Sequence, residues 1–66
     1  MKIINGKIIL GGIELDTKLA MDLKAMLPTL EFEDIVIPFY NGMDVSDTEV
    51  NEVCDYLKEE YSKIKL

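Results

Sequence analysis

The apolar positions of this chain change their period along its length. Lys2-Ile3-Ile4 and Lys7-Ile8-Ile9-Leu10 are short β-branched runs separated by Asn5-Gly6. Both residues of that dipeptide tolerate positive φ, which a two-residue type I′ turn requires. Gly11-Gly12 offers a second reversal before Ile13-Glu14-Leu15. The chain therefore opens as a tight β-meander, a hairpin with a short third strand. Paired isoleucines blur the alternation, so the pattern alone leaves the register open.

The next segment has helical spacing. Asp16 or Thr17 is placed to cap a helix over about 17–27. Leu19, Leu23, Met26 and Leu27 recur at the spacing of one helical face, read here as the packed face. Lys18, Asp22 and Lys24 lie off it. Pro28 ends the helix, because the residue before a proline is pushed out of the α region. Ile35-Val36-Ile37 is then a continuous β-branched run followed by Pro38-Phe39-Tyr40. It reads as a strand over 34–40, covered on both faces and paired with the N-terminal hairpin. Pro38 cannot donate to a ladder, so this strand lies at an edge or ends there. Asn41-Gly42 supplies the next turn.

Ser46-Asp47-Thr48-Glu49 matches a capping box, in which serine and glutamate each accept from the other's backbone amide. The helix it starts is predicted over about 47–63. Val50, Val53, Cys54, Leu57, Tyr61 and Ile64 form its apolar face, and Lys63 and Lys65 suit its negative C-terminal end. The fold class expected is α+β in a single small domain over 1–66. A short antiparallel sheet, the N-terminal hairpin plus strand 34–40, carries two helices, about 17–27 and 47–63, packed on one face.

Length sharpens this picture. A 66-residue chain buries only about 60% of its unfolded surface, and small domains usually need a disulfide, a metal or an oligomer. There is one cysteine, Cys54, and no histidine. No disulfide within the chain and no zinc site follow from that set. Good packing, self-association or a protein partner remain. No signal-peptide core or membrane-length apolar run is visible. With a lone cysteine, a cytoplasmic protein with no membrane association is expected.

Charge adds the one feature that points outward. Residues 31–60 hold ten carboxylates against the single lysine Lys58, a balance of −9. Residues 1–30 balance at +1, residues 61–66 at +2, and the whole chain at −6. Such asymmetry bears on partners and solubility rather than on fold. On the last helix Glu52, Asp55 and Glu59 fall near one outer stripe. That is the ordinary pattern of a solvated helix face. It also suits a mimic of a nucleic-acid backbone, since phosphates attract the same basic patches. Direct nucleic-acid binding is disfavoured by the charge.

The remaining chemistry is sparse. Asp44, Asp47 and Glu49 do not reproduce a calcium loop, because Glu49 stands where the turn glycine is needed. Cys54, on an apolar face with no histidine in the chain, reads as a small buried hydrophobe. No catalytic residue, cofactor or metal is expected. Tyr40 and Met43 flank a turn and suit either a core or an interface, while Phe39 suits the core. Tyr56 lies off the main apolar face, among acids, and is read as an interface residue. Partner binding is therefore assigned to Asp47, Glu49, Glu52, Asp55, Tyr56, Glu59, Tyr40 and Met43.

Ile37-Pro38-Phe39-Tyr40, Gly42-Met43 and Asp47-Thr48-Glu49-Val50 with Val53 resemble the C-terminal strand–turn–helix of sugar aminotransferases of the DegT type. The resemblance implies a strand, a turn and a capped helix in this order. It departs from that pattern in extra residues between Met43 and Asp47. The cofactor domain and its lysine have no counterpart in these residues, so no activity is implied. The function expected is a non-catalytic, acidic protein–protein interaction module. Its partner is a protein with a basic surface, and the module acts as an inhibitor there. In composition it is similar to the small acidic inhibitors of phages and mobile elements. The alternative is an accessory subunit or homodimer that docks through apolar surface.

Overall fold

The computed structural model describes residues 1–64. Three strands come first, β1 (Lys2–Ile4), β2 (Lys7–Leu10) and β3 (Ile13–Asp16). Three helices follow, α1 (Thr17–Met26), α2 (Phe32–Tyr40) and α3 (Asp47–Ile64). The α+β class is as expected. The strands form one antiparallel sheet in the order β1-β2-β3, with Ile3 opposite Ile8 and Ile8 opposite Leu15. Asn5 and Gly6 have φ of 52° and 75°, the positive pair that a two-residue reversal demands.

One sheet face is apolar and covered. Ile8, Leu10 and Leu15 are buried there, while Lys2, Ile4, Lys7, Glu14 and Asp16 are exposed on the other. Such alternation is the mark of a half-solvated antiparallel sheet. The helices complete the core with Ala20 from α1, Phe32, Val36 and Tyr40 from α2, and Val53, Cys54 and Leu57 from α3. Thr17 ties the two halves together. Its backbone amide and its hydroxyl both donate to the Gly6 carbonyl, at 3.1 and 2.5 Å. Asp16 caps α1 by accepting from the Lys18 amide at 2.9 Å. At the other end of α1, Lys24 donates to the carbonyls of Pro28 and Leu30. Gly11 lets the second turn approach the loop before α3, since a Cβ there would stand 3.0 Å from the Val45 side chain.

Two expectations need correction. Residues 34–40 are not a strand, and nothing from this segment pairs with the hairpin, because 32–40 is helix α2. Its β-branched run hid a helical spacing: Phe32, Val36 and Tyr40 are buried at four-residue intervals, while Ile37 is exposed. Glu31 and Asp34 form a reciprocal cap at its start. Pro38 lies inside the helix and removes one amide near its end, where the helix stops two residues later.

The packed face of α1 is also not the predicted one. Leu19, Met26 and Leu27 are 57, 75 and 53% exposed. Thr17 and Ala20 turn inward instead, flanked by the partly buried Met21 and Lys24. Small side chains and Met21 thus face the core, while Leu19 and Met26 stay outside. In α3 the expected face holds for Val53, Cys54 and Leu57, but Ile64 is largely exposed. Lys65 lies outside the described residues.

Candidate functional site: the acidic face of helix 3

Helix α3 starts as its sequence requires. The Glu49 amide donates to Ser46 Oγ at 3.2 Å, and the Ser46 amide donates to Glu49 Oε1 at 3.1 Å. The Ser46 amide, then its hydroxyl, hold the Glu49 carboxyl below its ordinary range. Glu49 therefore keeps its charge, but its carboxylate is held in place by the cap. Asp47 is exposed in the same first turn, where the helix dipole favours an anion.

Beyond the cap, geometry sorts the acids. At 100° per residue, Glu52, Asp55 and Glu59 project opposite to Val53, Leu57 and Val50. All three are exposed, and none of their side chains enters a salt bridge among the described residues. The nearby lysines are directed elsewhere. Lys58 crosses to α2 and donates to Glu33 at 2.5 Å, and Lys63 donates to Glu60 at 2.9 Å. The Lys58 hydrogen bond lowers the Glu33 pKa and raises that of Lys58. These lysines thus make their salt bridges to acids off the stripe, while Asp55 and Glu59 act on Lys58 and Lys63, respectively, only as weaker, longer-range charges.

The other predicted residues separate into two places. Tyr40, Met43 and Asp47 meet around a shallow cleft of about 500 Å³ at the end of α2, together with Ile37, Val45 and Val50. Tyr40 itself is buried, packs edge-on against Phe39 at 5.0 Å, and belongs to the core rather than to an open surface. Its hydroxyl is buried without a hydrogen-bond partner among the described residues, and burial pushes its pKa up. Met43 and Tyr56 are both half-buried against the core, so Tyr56 is less available than its acidic neighbours suggested. Phe32 and Tyr61 pack edge-on at 5.7 Å, which fixes α3 on α2.

Cys54 is buried, and burial raises its thiol pKa, with Glu33 adding to the effect. Such a thiol is a poor nucleophile. Among the described residues no group of three or more metal-ligating side chains is close enough to hold an ion, and no helix is long and apolar enough to cross a membrane.

The surface that sequence reasoning missed is the outer side of α1. Its signal was present as the Leu19, Leu23, Met26, Leu27 spacing, but it was assigned to the core. Comparison with known protein families, curated proteins and solved structures finds no match. The likeness to sugar aminotransferases also fails in its first element, since residues 37–40 are helical.

Proposed function

We propose that this chain is a non-catalytic protein–protein interaction module. Its α3 stripe engages a basic surface on a partner protein and occupies a place that nucleic acid would otherwise take. The observation that supports this reading is the exposed Glu52, Asp55, Glu59 row, opposite the core and in no salt bridge with a described lysine. From Glu52 to Glu59 the helix rises about 10.5 Å. One strand of a duplex carries roughly three or four phosphates over that length. Three fixed carboxylates are thus comparable in charge to the backbone they would displace.

The test compares two triple variants of equal charge change. Glu52→Lys, Asp55→Lys and Glu59→Lys alter the stripe; Glu14→Lys, Asp22→Lys and Asp44→Lys alter exposed acids elsewhere. Proteins captured from host extract by the unaltered chain should be lost with the first set, kept with the second, and released by added duplex DNA. Equal loss with both sets would reduce the acidic face to bulk charge and refute the assignment. A second reading, docking through apolar surface, is favoured by the exposed side chains of α1.

A further inference from the structure

We infer that the outer face of α1 is the interface at which two copies of this chain associate. Leu19 and Met26 point directly away from the core, with Leu27 and the half-buried Leu23 beside them. These are three of the eight large apolar side chains exposed among the described residues; Leu19 and Met26 lie on α1, and Leu27 is its C-terminal cap. An isologous contact brings a surface against itself, so any net charge it carries repels its own image. The acidic half of the chain, at −9, is therefore a poor self-docking surface.

On the α1 face that penalty is small. Residues 1–30 balance at +1. On α1 the Lys18 ammonium lies 3.3 Å from Asp22, and Lys24 is turned to the carbonyls of Pro28 and Leu30. What remains outward is apolar, with a rim whose charged groups sum to +1, far from the −9 of the acidic half. That rim gives a basic partner nothing to recognise, whereas a second α1 matches it in kind. Small chains without a disulfide or metal commonly gain stability by association, and this chain has a single buried, free cysteine.

Area limits the strength. A standard interface takes roughly 800 Å² from each partner, a little under a fifth of the 4514 Å² of this chain. Helix α1 is only about 15 Å long, so its stripe forms the centre of a modest interface. A dimer in reversible, concentration-dependent equilibrium follows. It would carry two acidic α3 stripes, and paired sites of that kind raise avidity for a partner with repeated basic surfaces.

Sedimentation equilibrium over a concentration series decides the matter. The mass of the unaltered chain should rise from 7.5 kDa toward twice that value. Leu19→Lys and, separately, Leu19→Glu should hold it at the monomer value, as should Met26→Lys, with the circular dichroism spectrum kept. Because both charge signs are tested, a disrupted apolar contact is distinguished from a net-charge effect. The Glu52, Asp55, Glu59 triple reversal should leave the dimer intact, which separates this inference from the partner-binding proposal. A monomer at all concentrations, or a dimer that survives these α1 substitutions, would overturn it.

Discussion

Leu19 and Ala20 are adjacent in α1, and the larger of the two is turned outward: Leu19 is 57% exposed, whereas Ala20 is 1% exposed. This inversion places Thr17 and Ala20 against the core and leaves Leu19 and Met26 at the surface. Ala20→Leu should therefore overpack the interior and cost about 1–3 kcal/mol. Leu19→Ala should change the stability of the monomer by no more than about 0.5 kcal/mol. Urea denaturation of dilute protein measures both. The reverse ranking would mean that α1 is rotated.

The helical state of residues 32–40 makes a similar contrast in the next element. Val36 is fully buried and Ile37 is largely exposed. Val36→Ala should cost about 1–3 kcal/mol through lost burial and cavity formation. Ile37→Ala should cost less than about 0.5 kcal/mol, helped by alanine's higher helix propensity. A strand covered on both faces, as the β-branched run suggested, would make both changes costly. Chemical denaturation of the two variants separates the alternatives.

The readable and unreadable parts of this sequence differ in what kind of signal they carry. Asn5-Gly6 and Ser46/Glu49 were legible because local stereochemistry and hydrogen bonding dictate their conformations. The α2 segment was misread because Ile35-Val36-Ile37 and Pro38 both argue against helix locally. Burial of Phe32, Val36 and Tyr40 outweighs that preference, as tertiary packing often does. For α1 the period was right and the direction was not. Periodicity reveals that a helix has two faces; it does not say whether Leu19 or Ala20 meets the core. The α3 stripe was legible from spacing alone, since one long capped helix fixes where Glu52, Asp55 and Glu59 point. Tyr40 was undecided in the sequence because its burial depends on a helix that the sequence reading did not contain.

The α3 cap gives stability a pH dependence. A carboxyl whose pKa is depressed on folding stabilises the fold above its ordinary value, and that contribution is lost as pH falls through the folded value. Glu49 is depressed by Ser46, and Glu33 by Lys58, each from an ordinary value near 4.5. The melting temperature should thus decline as pH falls below that region. Glu49→Gln keeps a side chain able to cap and removes the titration. It should flatten the acid arm and lower the melting temperature at neutral pH, since the contribution that titrates is that of the ionised carboxylate. An acid arm as steep as that of the unaltered protein would show that Glu49 does not contribute to it.

Cys54 supplies a probe of the core. Buried on α3, with its thiol pKa raised first by burial, it should react slowly with a thiol reagent in the folded protein. In denaturant the reaction should become fast. Equal rates in the two conditions would place Cys54 at the surface and contradict the packing of α3 on α2.

The salt dependence of partner capture tests the central claim most directly. Exposed charges are screened as ionic strength rises, because the Debye length falls from about 10 Å at 0.1 M to about 3 Å at 1 M. If the α3 stripe docks on a basic surface, retention of the partner should fall steeply across that range. With the Glu52, Asp55, Glu59 reversal it should be absent throughout, while the helical spectrum is kept. Retention that stays constant with salt and survives the triple reversal would contradict the account. The acids would then only solvate the helix, and apolar surface would carry the interaction.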